Sequence, residues 1–132
     1  MAVDEARLDK FPLFANLNDQ QRHLVASKLG ERTAEPGLHL TSKGGGGYFF
    51  FLIDEGTAEV TRNAEVVAEL GPGDFFGEAS LLEHKRRNAN VTATSHMRLL
   101  ELFGADFVNL TEQIPEMGAT VRATLEAHHP PE

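Results

Sequence analysis

Residues 73–93, GDFFGEASLLEHKRRNANVTA, place a short helix-forming segment inside a region whose other segments have the composition of strands. The helix formers after Gly77 suffice for about one and a half turns of helix. Such a helix exposes unpaired N–H groups at its start, where an anion can bind. Glu78 lies in this first turn, and Arg87 follows nine residues later, before the strand-like NANVTA. The N–H donors, the carboxylate and the guanidinium together are the groups that a phosphate on a ribose needs.

The segments around this stretch predict a protein built from short antiparallel strands. From Glu35 onward, runs rich in Phe, Val, Thr and Leu alternate with turn signals such as EPG, KGGGG and GPGD. The spacing favours a sandwich or barrel over a parallel sheet with crossover helices. In TAEVT, Ala58 and Val60 alternate with polar residues, which predicts a half-buried strand. The predicted strands are LHLT, YFFFLID, GTAEVTR, EVVAEL, NVTATSH and MRLLEL, of which the continuously apolar YFFFLID should be buried on both faces or covered by helices.

A helix is predicted before the strands. Asn18 is a good N-cap with Gln21 three residues later, so we expect a helix over about Asp19–Leu29 that ends at Gly30. The preceding FPLF is too short for a full helix. Its apolar residues Phe11, Leu13 and Phe14 are expected to dock as a short turn.

Two helices are predicted after the strands. GADFVNLTEQI is typical of one helix, and Pro115 suits the first turn of another. Met117, Val121 and Leu125 are spaced by four residues and form one apolar stripe on that last helix. The fold class predicted from this order is α+β, an antiparallel β-roll or jelly-roll-like barrel with helical segments before and after the strands in the chain. We expect a single domain over residues 1–132, with a helical segment over 1–34, the roll over 35–103 and the C-terminal helices over 104–128.

Composition and charge exclude several classes of protein. The chain has 132 residues, 41% apolar and 24% charged, which suits one globular domain with a real core. It has no cysteine, which excludes disulfides and thiolate metal sites. The net charge of -8 disfavours nucleic-acid binding by this chain alone. No signal-like start and no apolar run of membrane-spanning length is present, so we predict a cytoplasmic location.

FFGEASLL followed by RNANV resembles the phosphate-binding cassette of cyclic nucleotide-binding domains. The usual cassette reads Phe-Gly-Glu, two small or apolar residues, Leu, a loop, and then Arg, a small residue and Ala. The similarity extends over nearly the whole chain. FPLFANLNDQQRHLVASKL resembles the helical segment that opens the family's domain, IDEGTAEV its strand-turn-strand, ELGPGDFFGE the approach to the cassette, and ADFVNLTEQIPEM the helix and Pro that begin its lid.

The resemblance implies a ligand-binding role for eight residues of the cassette, which spans residues 76–89 as a short cassette helix and its loop. Glu78 would accept a hydrogen bond from the ribose 2'-hydroxyl, and Arg87 would pair with the cyclic phosphate. The N–H groups of Ala79 and Ser80 would cap the phosphate, while Gly77 would let the backbone come close. The predicted ligand-binding set is Phe76, Gly77, Glu78, Ala79, Ser80, Arg87, Asn88 and Ala89.

The sequence also departs from the family pattern. Asn88 stands where the family has a small residue or a hydroxyl, and it offers both a donor and an acceptor, so cAMP and cGMP both remain possible; our prediction is cAMP. Ser80 replaces a common Ala, and Gly44–Gly47 replace a turn that often carries Asp or Glu. Lys85 and Arg86 match no family role and are expected to be solvated loop charges.

The predicted function is a non-enzymatic regulatory domain that binds a 3',5'-cyclic nucleotide and converts binding into movement of the terminal helices. Its partner would be an effector domain or another protein. One alternative is a degenerate family member that serves as a protein-interaction domain without a nucleotide. A weaker alternative is a metal-dependent, cupin-like enzyme. His39 and His96 lie in or near strand candidates, but no His-x-His followed by Glu is present, and we predict no metal, cofactor or catalytic residue.

Overall fold

The computed structural model describes residues 4–41, 49–77 and 89–128, with the backbone alone at residue 41 and at residues 124–128. The elements in chain order are two short 3-10 helices (Glu5–Lys10 and Pro12–Phe14), helix α1 (Asp19–Lys28), strands β1 (Gly30–Ala34), β2 (His39–Thr41), β3 (Phe49–Glu55), β4 (Ala58–Arg62), β5 (Glu65–Leu70), β6 (Phe75–Phe76), β7 (Asn90–Ala93) and β8 (Met97–Phe103), and helices α2 (Gly104–Gln113) and α3 (Pro115–His128). Within the described residues, no helix is both long enough and apolar enough to cross a membrane.

The described strands form two antiparallel sheets. Sheet A has the strand order β1-β8-β3-β6, and sheet B has the order β2-β7-β4-β5. The longest ladder joins β3 to β8, with Phe49 opposite Phe103 at one end and Glu55 opposite Arg98 at the other. The antiparallel pairing and the flanking helices confirm the predicted α+β fold with a β-roll.

Strand β3 separates two apolar cores. Because successive side chains of a strand point to opposite faces, Phe50 and Leu52 face one side of sheet A while Phe51 and Ile53 face the other. The first pair packs with the helices, in a core that includes Phe14, Val25, Leu100, Leu102, Phe107 and Val121. The second pair packs between the two sheets, with Ala58, Phe76, Val91, Met97 and Leu99. This arrangement confirms the prediction, made from the continuous apolar run, that the strand is buried on both faces.

The capping box of α1 forms as the sequence predicts. The Gln21 N–H donates to the Asn18 side chain at 2.8 Å, and the Asn18 N–H donates to the Gln21 side chain at 2.9 Å. The end of the helix differs from the prediction. Gly30 does not cap α1 but is the first residue of β1, opposite Glu101 of β8. The sequence placed the first strand after Glu35 and missed β1, because GERTA lacks apolar alternation and forms a strand only by pairing with β8.

The predicted docking of FPLF and the two C-terminal helices is confirmed. Phe11, which directly precedes the 3-10 helix Pro12–Phe14, and Leu13 and Phe14 within that helix are all buried. Helix α3 begins at Pro115, and the side chains of Met117 and Val121 are completely buried. The third member of the predicted stripe, Leu125, has a side chain outside the described residues.

An ion cluster ties the N-terminal 3-10 helix to β3. Asp54 is the only charged side chain among the described residues that is buried, at 7% exposure. Arg7 Nη2 donates to Asp54 Oδ2 at 2.7 Å, and Lys10 Nζ donates to Asp54 Oδ1 at 2.6 Å and to its carbonyl oxygen at 2.9 Å. Arg7 also pairs with Glu31 on β1. We call Arg7, Lys10 and Asp54 the Asp54 clasp.

The clasp makes the stability of the fold depend on pH. Burial alone would raise the pKa of Asp54, but the hydrogen bonds and charges of Lys10 and Arg7 outweigh it and lower the pKa below its ordinary value. A carboxylate with a lowered pKa in the folded state stabilises the fold above its unfolded-state pKa, which is about 4. That contribution is lost as the pH falls through the lower, folded-state pKa.

We therefore predict that Asp54→Asn lowers the free energy of unfolding by roughly 1–3 kcal/mol near neutral pH, because charge-assisted hydrogen bonds are lost. The difference between the parent and the variant should begin to shrink below about pH 4, where Asp54 of the unfolded parent becomes protonated, and should be lost below the lower, folded-state pKa. Urea unfolding between acid and neutral pH measures both values. A difference that stays constant down to the lowest pH would contradict this account.

Gly56 lies between β3 and β4 in a conformation that suits glycine. Its φ is +94°, and a Cβ at this position would lie 2.9 Å from Met97 Cα and closer still to the His96 carbonyl oxygen. Gly37 has nearly the same φ, +93°, but a Cβ there would meet nothing within 4 Å. A substitution would strain the backbone at both glycines, and only at Gly56 would the added Cβ also collide with neighbouring atoms.

Gly37→Ala should destabilise the fold by about 1–2 kcal/mol from the left-handed backbone alone. Gly56→Ala should cost about 1–3 kcal/mol more, because the strand-turn backbone has to shift. Urea unfolding of both variants beside the parent gives the comparison. Equal losses in the two variants would show that the close approach to His96 and Met97 does not constrain the turn.

Candidate functional site

The structure describes three of the eight predicted ligand-binding residues, Phe76, Gly77 and Ala89. The predicted cassette helix falls in residues 78–88, which lie outside the described residues. The other five predicted ligand-binding residues, Glu78, Ala79, Ser80, Arg87 and Asn88, lie there, together with Lys85 and Arg86, and Gly44–Gly47 are also outside the described residues.

Phe76 and Gly77 form the described start of the candidate site. Phe76 is opposite Phe51 in the β3–β6 ladder, and the two rings stack with centroids 5.0 Å apart. Gly77 follows with a φ of +98°, a conformation that residues with a Cβ rarely adopt. The backbone conformation at the end of β6 therefore favours glycine at position 77, immediately before Glu78.

Ala89 forms the other described end of the site. It is buried, and Asn90 after it begins β7 opposite Thr61 of β4. Because β6 belongs to sheet A and β7 to sheet B, residues 78–88 connect the two sheets. Both ends of the cassette sequence therefore adjoin paired strands of the roll, β6 at one end and β7 at the other.

The direction of β6 brings the site toward α2. Phe75 is opposite Leu52 and Phe76 is opposite Phe51, so β6 runs toward the Phe49 end of β3. At that end Phe49 is opposite Phe103, the residue directly before α2. The cassette sequence therefore leaves sheet A at the edge where the C-terminal helices begin.

A turn anchored on β3 leads into β6. The Ile53 N–H donates to the Asp74 carbonyl oxygen, and the Gly73 N–H donates to the Ile53 carbonyl oxygen, both at 2.9 Å. The Asp74 carboxylate also accepts a hydrogen bond from the Gly71 N–H at 2.8 Å. The sequence predicted the turn GPGD but neither the two-residue strand β6 after it nor its attachment to β3, because these depend on a partner strand about twenty residues earlier in the chain.

An aromatic column connects β6 to α2 through β3. The Phe75 and Phe50 rings have centroids 5.3 Å apart, and Phe50 stacks on Phe107 of α2 at 4.2 Å with an interplanar angle of 18°. We call Phe75, Phe50 and Phe107 the aromatic column. A shift of β6 would change the packing of α2, because close-packed rings leave little free space between them.

An open cleft of about 420 Å³ lies elsewhere on the roll. None of the three described candidate residues contributes to it, and two of its carboxylates, Glu59 and Glu69, are directly opposite each other across the β4–β5 ladder. The cleft is therefore distinct from the described part of the candidate site. Its lining consists of Thr57, Ala58, Glu59, Glu69, Leu70, Gly71 and Thr94.

The histidines of the metal-enzyme alternative do not come together in the part of the chain that the structure describes. His39 Nδ1 is 2.8 Å from the Thr92 hydroxyl, and His96 Nδ1 is 2.9 Å from a Glu35 carboxylate oxygen. No three His, Asp or Glu side chains of the described residues form a group that could hold a metal ion.

The chain matches known proteins along most of its length. The family model described as the cyclic nucleotide-binding domain matches residues 31–114, from β1 through α2. A cAMP-dependent protein kinase regulatory subunit from Yarrowia lipolytica is 37% identical over 97 residues, which are 72% of this chain and 26% of that protein. A cyclic nucleotide-gated potassium channel from Rhizobium etli is 35% identical over 113 residues, which are 86% of this chain and 32% of that protein.

A solved structure shows the same fold. The regulatory subunit of a cAMP-independent protein kinase A from Trypanosoma brucei aligns with a TM-score of 0.84 over 95% of this chain and 44% of that chain, at 24% identity. The curated relatives are named as a regulatory subunit and a channel, which confirms the prediction of a non-enzymatic domain. The family model spans both described ends of the cassette sequence, and the chain belongs to the cyclic nucleotide-binding domain family.

Proposed function

We propose that this chain binds a 3',5'-cyclic nucleotide, cAMP in preference to cGMP, at residues 76–80 and 87–89, and that binding moves the terminal helices. In this proposal residues 1–132 act as one regulatory domain. The observation that carries it is the placement of the cassette sequence. Glu78 follows the glycine-specific exit from β6, in the segment that connects the two sheets and inside the family match.

The chemistry of the cassette side chains suits this ligand. The Glu78 carboxylate can accept a hydrogen bond from the ribose 2'-hydroxyl, and the Arg87 guanidinium can form charge-assisted hydrogen bonds with the cyclic phosphate. The N–H groups of Ala79 and Ser80 supply further donors. The preference for cAMP is supported by the Yarrowia lipolytica relative, which is named as cAMP-dependent, and Asn88 is the position that would set it.

The aromatic column supports the movement of the helices. A ligand changes a conformation only by binding one arrangement better than the other. The column gives that difference a route, because Phe75 lies two residues before Gly77 and contacts Phe107 of α2 through Phe50. In this proposal the repacking of α2 and α3 carries the signal to an effector domain or a partner protein. A cytoplasmic location stays a prediction of the sequence.

An interaction domain without a nucleotide is the second candidate. The observation that favours it is the Trypanosoma brucei structure, which has the same fold and is named as part of a cAMP-independent kinase. The presence of both Glu78 and Arg87 at the cassette spacing favours nucleotide binding instead.

Calorimetric titration with cAMP and then cGMP at one salt concentration distinguishes the two candidates. We expect cAMP to bind with a dissociation constant in the micromolar range or below and cGMP to bind more weakly. Tighter binding of cGMP would reverse the assignment of the ligand. The absence of heat and of a shift in melting temperature with both nucleotides would refute nucleotide binding and favour the interaction domain.

Arg87→Ala should weaken cAMP binding about tenfold to a hundredfold, because each charge-assisted hydrogen bond contributes roughly 1.5–3 kcal/mol. Lys85→Ala and Arg86→Ala are matched controls that remove the same charge from neighbouring residues. We expect both controls to bind within about threefold of the parent, since neither side chain contacts the ligand in this proposal and the loss of its charge changes only the screened local potential. Equal losses in all three variants would show that net charge, rather than the cassette position, determines affinity.

A further inference from the structure

We propose that Asp54 is a positioning residue for the nucleotide site, which couples docking of the N-terminal 3-10 helix to nucleotide binding. The inference rests on the proposed function. It adds that Asp54, which lies outside the cassette, helps to fix the backbone at Gly77, where the cassette sequence leaves β6.

The first step is the attachment of the N-terminal helix at one point of β3. Lys10 uses both the carboxylate and the main-chain carbonyl of Asp54, and Arg7 uses the other carboxylate oxygen. The 3-10 helix is therefore fixed in position at two side chains three residues apart. The pairing of Arg7 with Glu31 extends the attachment to β1.

The second step is the neighbouring residue, Ile53. Its N–H and its carbonyl oxygen both pair with the turn at Gly73 and Asp74. The same turn lies close to the end of the N-terminal helix, because a Cβ added at Gly73 would be 3.6 Å from the Lys10 carbonyl oxygen. The end of the 3-10 helix and this turn therefore both bond to the end of β3, at Asp54 and Ile53, and lie close to each other.

The third step leads from the turn to the cassette. Asp74 is followed directly by β6, and Gly77 follows β6. When a ligand requires an ordered Gly77, the protein backbone loses less conformational freedom on binding if the turn before β6 is already held in place. By thermodynamic reciprocity, a bound nucleotide must then favour the docked N-terminal helix by the same factor.

A second ion pair on the same 3-10 helix provides a matched control. Asp9 pairs with Arg22 of α1, and Arg22 also donates to the Glu5 carbonyl oxygen. This pair joins the helix to α1 rather than to β3. Asp9→Asn removes one carboxylate from the N-terminal helix while the Asp54 clasp stays in place.

The test combines cAMP titration with amide hydrogen exchange, measured by mass spectrometry on the full chain with and without cAMP. In the parent, cAMP should slow exchange over residues 6–11. Asp54→Asn should abolish this response and weaken cAMP binding about fivefold or more, which is the lower range of measured couplings between sites. Asp9→Asn should keep both the response and the affinity.

The outcomes separate this inference from a purely structural role and from the proposed function. If Asp54→Asn lowers the melting temperature but keeps the parent's cAMP affinity and exchange response, Asp54 is structural and the coupling is refuted. If Asp54→Asn does not fold, Lys10→Gln, at a side chain with 42% exposure, should show the same changes with smaller size. Unchanged binding and exchange in Lys10→Gln would then refute the coupling. A parent that binds neither cAMP nor cGMP would refute the proposed function, and the inference with it.

Discussion

The burial of β3 on both faces is the constraint on which the rest of the structure depends. Phe50 and Leu52 fill the core against the helices, and Phe51 and Ile53 fill the core between the sheets. Each buried side chain of this size contributes roughly 1.5–3 kcal/mol of hydrophobic stabilisation. Because both cores share one backbone, neither can repack alone. A displacement of β3 toward the helices opens a gap between the sheets, and interiors packed this densely tolerate few such gaps.

The same strand organises the surroundings of the candidate site. One edge of β3 pairs with β6, which leads to Gly77, and the other edge pairs with β8, which leads to α2. The aromatic column crosses β3 on its helix side, and the Asp54 clasp attaches the N-terminal helix near its end. The cassette sequence, the N-terminal helix and the C-terminal helices therefore share one attachment, to β3, beside the further contacts that Arg7 makes with β1 and that Asn90 makes with β4. Because all three are attached to β3, a change in the position of one is expected to affect the other two.

Local signals predicted the elements that local interactions determine. The capping box at Asn18 and the apolar run of β3 each depend on residues close in sequence, and both formed as predicted. Strands β1 and β6 were missed because their sequences acquire extended structure only by pairing with β8 and β3. The Asp54 clasp joins residues 44 and 47 positions apart, so no local pattern could indicate it. For the site, the glycine at position 77 has a backbone reason in the structure, whereas the ligand contacts of Glu78 and Arg87 stay predictions.

The net charge leaves recognition of the ligand to short-range contacts. The likeness to the Trypanosoma brucei regulatory subunit, with a TM-score of 0.84 at 24% identity, is a likeness of fold alone. The net charge of -8 repels an anionic ligand at long range. At physiological salt this repulsion is screened within about 8 Å, whereas a guanidinium and N–H donors in direct contact with a phosphate are screened much less. A cyclic nucleotide would therefore be held against the overall field, and its selection would depend on the few groups that touch the phosphate and the ribose.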